Sequence, residues 1–364
     1  MDAHEDSVRD FTGRQLHALL HSLGITRNTE DSLGMLGDAL GPGGSRPLSQ
    51  PPTWPSDVAD DHTPVEFSTA FEAGAPPVVR AIVEPTAGTP SRRANTQSAL
   101  DALAAMGRRQ RLDLSRFDHV RELFLPDQPH SDFTFWYSLV FRAGEPPAVK
   151  VYFNPQVRGE HAADDLVREG LARTGFAGGH QTLLDHAMTR PGADRYSFFA
   201  LDLLDRRRAR VKVYVSHHDA EAAVAQRAAH AARDVDAERL DDFCRIVGGG
   251  TRTFDRRPLI SSYTFLDGDT SRPSGYSLYL PVRDYVSDDA EAVARVHAAM
   301  AAYGLDTAQF DTALRSIAQR PLDEGVGLIA HVSLRTGKPR PGITVYLSSE
   351  AYDVASPRES SLAN

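Results

Sequence analysis

One short pattern recurs five times along the chain, and this recurrence limits the possible folds more than any other feature. The clearest copy is Val149-Lys150-Val151-Tyr152-Phe153, a β-branched and aromatic run of the kind that forms a strand. Side chains alternate across a strand, so Lys150 and Tyr152 share one face while Val149, Val151 and Phe153 share the other. Arg210-Val211-Lys212-Val213-Tyr214-Val215 repeats the pattern. Weaker copies stand at Val79-Arg80-Ala81-Ile82-Val83, Tyr276-Ser277-Leu278-Tyr279-Leu280 and Ile343-Thr344-Val345-Tyr346-Leu347. Between Arg80, Lys150, Lys212, Ser277 and Thr344 the intervals are 70, 62, 65 and 67 residues. A period of this kind marks an internally repeated architecture.

Each unit reads as helix, helix, strand, strand. Helical spacing fills 7–40, 97–107, 115–124, 160–173, 178–189, 219–233, 236–247, 288–303 and 307–318. Strand hairpins fall near 65–83, 133–153, 196–215, 259–281 and 327–347. The turns Ala73-Gly74-Ala75-Pro76-Pro77 and Ala143-Gly144-Glu145-Pro146-Pro147 are nearly identical, which supports repetition independently. Thr336-Gly337-Lys338-Pro339 joins the last pair of strands. Five hairpins make ten antiparallel strands, and closing them into a barrel removes the aggregation-prone edges. The expected fold is therefore α+β: a ten-stranded antiparallel barrel inside a ring of helices, one domain over 1–352, with a frayed tail at 353–364.

Helices on the outside require an apolar outward strand face, which is the Val149/Val151/Phe153 face and its copies. The Lys, Arg and Tyr face then lines the lumen. Buried unpaired charges are too costly for a dry core, so this lumen holds water or a charged ligand. The alternative is a β-sandwich whose charged strand face meets solvent. The helices between the hairpins favour the barrel.

Composition narrows the functions. The net charge of −9 argues against a general nucleic-acid binder and confines any anion site to a few clustered cations. No apolar run approaches the roughly 20 residues that span a membrane, and the acidic start Met1-Asp2-Ala3-His4-Glu5-Asp6 is wrong for a signal peptide, so a cytoplasmic location is expected. The single cysteine, Cys244, reads as a small buried apolar residue and rules out a multi-cysteine zinc site. Asp-Asp pairs at 60–61, 164–165, 241–242 and 288–289 read as exposed acids at helix starts, and none extends to Asp-Asp-x-x-Asp. No Gly-x-x-x-x-Gly-Lys loop supports ATP chemistry.

Pro64-Val65-Glu66-Phe67-Ser68, Val79-Arg80, Val149-Lys150-Val151-Tyr152-Phe153 and Arg210-Val211-Lys212-Val213-Tyr214 together resemble the aromatic prenyltransferases of the dimethylallyltryptophan synthase type, in the looser form of the bacterial members. The resemblance runs from about residue 60 to 350. It implies that Arg80, Lys150, Arg210 and Lys212 bind an allylic diphosphate, that Tyr152, Tyr214, Tyr279 and Tyr346 shield the allylic cation, and that Glu66 accepts the indole N–H. It also implies transfer of a dimethylallyl group from dimethylallyl diphosphate to the indole of tryptophan or a tryptophan derivative, without cofactor or Mg²⁺, by a monomer or homodimer. The family's strand-borne lysine base has no counterpart in Phe133-Thr134-Phe135-Trp136-Tyr137-Ser138.

The residue chemistry fits this outline. Converging cations stabilise a diphosphate as leaving group. Tyrosine faces stabilise a carbocation by roughly 0.5–2 kcal/mol each and keep water from it. Several residues keep two readings. Glu66 is an indole acceptor or a solvated strand-end carboxylate. Trp136 is a lumen wall or ordinary packing, and His331 an inward-facing base or a satisfied structural histidine. His217-His218 reads as a solvated loop at a strand end. Other acceptors, such as a phenol or a cyclic dipeptide, and a non-catalytic ligand-binding barrel are the competing functions.

Overall fold

The computed structural model describes residues 5–205, 207–336 and 341–358. Ten strands form one closed barrel: β1 (Val65–Glu72), β2 (Val78–Val83), β3 (Phe135–Phe141), β4 (Ala148–Phe153), β5 (Asp194–Asp202), β6 (Val211–His217), β7 (Leu259–Phe265), β8 (Gly275–Leu280), β9 (Ile329–Thr336) and β10 (Gly342–Ser348). Every pairing is antiparallel, sequence neighbours are neighbours in space, and β1 closes the ring on β10. The hairpins emerge as expected, with ends shifted by one or two residues. Gly74 and Gly144, at matching places in the two related turns, hold φ of 70° and 77°, the left-handed conformation that favours glycine. The Thr336-Gly337-Lys338-Pro339 turn lies largely outside the described residues.

Ten helices among the described residues surround the barrel: α1 (Val8–Ser22), α2 (Thr29–Leu40), α3 (Arg92–Arg109), α4 (Ser115–Phe124), α5 (Ala163–Thr174), α6 (Ala177–His186), α7 (Ala222–Ala229), α8 (Glu238–Val247), α9 (Asp289–Ala302) and α10 (Ala308–Ile317). A pair of helices precedes each hairpin, and α1 packs on α10, closing the ring. The outward face of each strand is apolar. Val149, Val151, Phe153, Val211, Val213 and Val215 are all buried in the core between barrel and helices. There, α4 lays Phe117 and Phe124 on Phe153, with ring centroids 5.8 and 5.1 Å apart, and Phe124 also stacks on Phe199 at 5.0 Å. Gly170 of α5 allows this closeness, since a Cβ there would lie 3.1 Å from the Phe199 ring and 3.3 Å from that of Phe124. Outward tyrosines add polar ties: the Tyr137 hydroxyl donates to the Ala99 carbonyl of α3 (2.6 Å) and that of Tyr263 to Ala228 of α7 (3.0 Å). Cys244 is buried in the same layer.

Two expectations need correction. His217 is not in a solvated loop. It ends β6 on the outward face and is fully buried, with Nδ1 2.8 Å from Asp194 and Nε2 2.9 Å from the Ser261 hydroxyl, which in turn meets Tyr276 at 2.8 Å. The reason is periodicity, because His217 continues the outward series Val211, Val213, Val215. Nor is the stretch after β10 frayed up to residue 358. Ala355 bridges to Val326, and the Arg358 backbone N–H donates to Ser287 (2.8 Å).

Burial opposes ionisation of Asp194, but hydrogen bonds from His217 and Arg190 outweigh it and hold the carboxyl below its ordinary range. A carboxyl depressed in the folded state adds stability above its unfolded pKa, and that stability is lost as pH falls through the folded value. Asp194→Asn should therefore destabilise the protein at pH 7, with the difference from the parent shrinking as pH falls below the carboxylate range. Urea titrations at pH 7 and in acid would test this, and an equal loss at both would exclude it.

Candidate active site

Alternation on ten strands sorts the inward side chains into layers along the barrel axis. At one end Arg80 of β2, Lys150 of β4, Lys212 of β6, Arg210 and Arg335 of β9 surround a polar pocket, together with Ser277 and Thr344. Tyr152, Tyr214, Tyr279 and Tyr346 form the middle layer. Their successive ring centroids lie 5.7, 5.9 and 5.8 Å apart. At the other end a cavity of about 290 Å³ is walled by Val58, Ile82, Trp136, Phe198 and Ile260, with Glu66 and His331 reaching in and Asp57, Arg257 and Arg283 also lining it.

The cation layer is costly to charge, first because it is buried. The Lys150 ammonium donates to the hydroxyls of Tyr152 (3.1 Å) and Tyr214 (3.0 Å) and lies 4.3 Å from the Tyr152 ring centre. Burial, then the neighbouring Lys212, pushes its pKa well below the ordinary lysine value. Burial also lowers Lys212, which lies 5.1 Å from the Tyr214 ring centre. Arg210 precedes β6 instead of lying within it as expected. It is committed to Asp202, with Nε 2.6 Å from the carboxylate and its backbone N–H at 3.1 Å. Arg335 pairs with Glu72 at 2.5 Å. Arg80, Lys150 and Lys212 remain as cations with no ion pair of their own among the described residues. Burial keeps Tyr152, Tyr214 and Tyr346 un-ionised by raising their pKa values.

The apolar end has its own electrostatics. Glu66 sits on the lumen face of β1, beside Ile82 across the ladder, and is buried. This settles its position against a solvated strand end. Burial, reinforced by Asp60, raises its pKa to about 8. Trp136 faces the lumen, stacked on Phe133 at 4.0 Å and 5.6 Å from Phe198. At the mouth, Arg257 bridges Asp60 and Asp284, both at 2.8 Å, and Arg283 also reaches Asp60 at 3.1 Å.

Sequence patterning missed Arg335, because the strand was expected to stop at Leu334. The inward series His331, Ser333, Arg335 carries one step further. It also missed Glu84, a buried carboxylate that accepts from Trp54 Nε1 (3.0 Å) and the Ser56 hydroxyl (2.6 Å) and so ties down the segment bearing Asp57 and Val58. Burial lifts its pKa to about 7. Nothing local in the sequence marks this contact, which joins residues 28 and 30 positions apart.

Three of the four acidic pairs lie elsewhere. Asp164 meets His180, Asp165 meets Arg168, and Asp242 meets Arg245. Asp288 caps α9, while the Asp289 carboxylate accepts three backbone N–H groups at Gly327, Leu328 and Ile329. Asp60 is at the cavity mouth, paired with Arg257, and Asp61 accepts from the Tyr352 backbone N–H; neither starts a helix. Among the described residues, no group of three or more His, Cys, Asp or Glu is placed to hold a metal ion, and no helix is long and apolar enough to cross a membrane.

Comparisons with known proteins match the family and the fold. The profile of the family described as Tryptophan dimethylallyltransferase matches residues 10–315. The 6-dimethylallyltryptophan synthase of Micromonospora olivasterospora, solved in complex with DMASPP and Trp, is 48% identical, with a TM-score of 0.92, over 97% of this chain and 100% of that one. The 5-dimethylallyl tryptophan synthase of Streptomyces coelicolor, also solved with DMASPP and Trp, is 37% identical, with a TM-score of 0.90, over 99% and 100%. Deoxybrevianamide E synthase of Aspergillus versicolor is 28% identical over 204 residues, so the match spans 49% of this chain and 45% of that relative's length. The chain belongs to the tryptophan dimethylallyltransferase family and is an aromatic prenyltransferase built on the ten-stranded barrel that family shares.

Proposed function

We propose that this enzyme transfers the dimethylallyl group of dimethylallyl diphosphate to the indole ring of free tryptophan. The observation that carries this reading is the pairing of an apolar slot containing a buried carboxylate, Glu66, with a mouth bearing both signs of charge, Asp57 and Arg257. An indole fits the slot and can donate its N–H to Glu66. The ammonium and carboxylate of a free amino acid suit the mouth, whereas a cyclic dipeptide has neither group to offer. The two relatives solved with Trp and DMASPP support the same pair of substrates.

The steps follow from the layers. Arg80, Lys150 and Lys212, with Arg210 held beside them by Asp202, receive the diphosphate, which carries about three negative charges. Its negative charge offsets the cost of keeping the Lys150 ammonium charged in a buried site. The allylic C–O bond breaks as these cations take up the leaving group's charge. Tyr152, Tyr214, Tyr279 and Tyr346 face the resulting cation and shut out water, while the tyrosine layer sets it against the indole. The ring attacks, the new C–C bond forms, and Glu66 as carboxylate supports the increasingly acidic N–H.

Because protein cations supply the charge, product with one added prenyl unit should form from tryptophan and dimethylallyl diphosphate in excess EDTA. Lys150→Ala and Lys212→Ala should each keep the fold and lose about 2–4 kcal/mol of transition-state stabilisation. Mass spectrometry of the product and single-turnover rates would test this. Turnover abolished by EDTA and restored by Mg²⁺, or full activity in either lysine variant, would remove the assignment.

The raised pKa of Glu66 gives a sign. The carboxylate is the form that supports the indole, so kcat/KM for the acceptor should rise with pH through a step near 8. Glu66→Gln should be slower and lack that step. A profile that keeps the step in the variant would assign it to another group.

Arg257→Gln should raise KM for tryptophan by about tenfold or more, the usual worth of a charge-assisted hydrogen bond, and leave KM for tryptamine nearly unchanged. Equal effects on both acceptors, or preference for a cyclic dipeptide over tryptophan in direct competition, would redirect the acceptor assignment.

A further inference from the structure

Prenylation of an aromatic carbon ends with loss of a proton from that carbon, and none of the groups assigned above removes it. His331 is on the inward face of β9, in the acceptor cavity, across the ladder from Tyr346. Its ring meets that of Tyr346 nearly edge-on, with centroids 6.1 Å apart. Glu66 of β1 and Arg257 and Arg283 at the mouth line the same cavity. Three other histidines are fastened by carboxylates: His180 to Asp164 at 2.8 Å, His217 to Asp194 at 2.8 Å, and His297 to Asp311 at 2.7 Å. Neither nitrogen of His331 has such a partner among the described residues.

We infer that His331 is the base that takes the ring proton after the new bond has formed. The inference rests on the indole acceptor proposed above. Strand spacing sets the reach. Glu66 and His331 are on β1 and β9, separated only by β10, so their backbones stand roughly 10 Å apart across the sheet. An indole whose N–H meets Glu66 then presents the far edge of its benzo ring to His331. The departing diphosphate is poorly placed for the task. Its cations end at Arg335, four residues along β9 from His331, or about 13 Å away, beyond the tyrosines.

In this step the C–H electron pair of the tetrahedral ring carbon returns to the ring, aromaticity is restored, and the proton bonds to a neutral imidazole nitrogen. Burial and the nearby Arg257 lower the pKa of His331 to about 3, so the imidazole is un-ionised when it is needed. A weak base suffices because the cationic ring intermediate is a far stronger acid. The imidazolium so formed is unstable beside Arg257 and passes its proton to solvent through the mouth, which regenerates the base.

The test uses tryptophan deuterated on the indole ring, with wild type, His331→Asn and His331→Gln. Wild type should show a kinetic isotope effect near unity, since proton loss follows the slow step. Both variants should form product at roughly 100-fold lower kcat or less, with KM for tryptophan little changed, and should acquire a clear primary isotope effect. A merely structural histidine would slow turnover without that isotope effect. An isotope effect near unity in both variants, at any rate, would overturn the assignment. Failure of wild type to prenylate tryptophan would instead overturn the acceptor reading.

Discussion

Ten antiparallel strands closed into a ring have two faces with opposite needs, and period-two alternation is the only means the backbone has of meeting both. The outward face must be apolar along its whole length, because the helices pack there and their amphipathic stripes have nowhere else to go. The inward face is released from that demand. A ten-stranded ring is too wide for side chains to fill as they fill an eight-stranded one. It can therefore carry Lys150, Lys212 and Arg80 with Tyr152, Tyr214, Tyr279 and Tyr346 beside them, residues that a packed core would exclude.

The lumen works because its layers have opposite electrostatic characters within a short distance. One end gathers cations, and burial first, with their mutual repulsion second, depresses the ionisation of its two lysines. The other end raises carboxylates, with Glu66 and Glu84 both shifted upward by burial. Each end would be relieved by a bound group of complementary character. Binding energy can thus be directed to the place where charge changes in the reaction. The tyrosines between them turn apolar faces to the lumen, and Tyr152 and Tyr214 accept from the Lys150 ammonium through their hydroxyls, so this layer divides the two environments.

Much of this was legible in the sequence, for a specific reason. The β-branched alternation around Lys150 and Lys212, the intervals between copies and the paired Ala-Gly-x-Pro-Pro turns are local signals, and they were enough for strand count, closure, helix ring and lumen face. The cations and tyrosines were readable because they repeat in register. What was not legible depends on which strand end meets which loop. Glu84 gains its role from Trp54 and Ser56, and the mouth is made by Asp57, Arg257 and Arg283 from distant segments. His217 and Arg335 were within reach of the same alternation rule and were lost only because the strands were drawn two residues too short. His331 could be placed on a strand but not given a partner or denied one, since that needs three dimensions.

The chain has three lysines, Lys150, Lys212 and Lys338, among 40 basic residues. Two of them face the lumen, and Lys338 lies outside the described residues. Burial lowers the pKa of both lumen amines, which leaves more of each in the nucleophilic, uncharged form than a surface lysine would offer. Arginine carries almost all the remaining positive charge and does not react with amine-directed reagents. Acylation at Lys150 and Lys212 would therefore report on the interior of this barrel, and a molecule occupying the cation end would show itself as protection at those two positions in a digest.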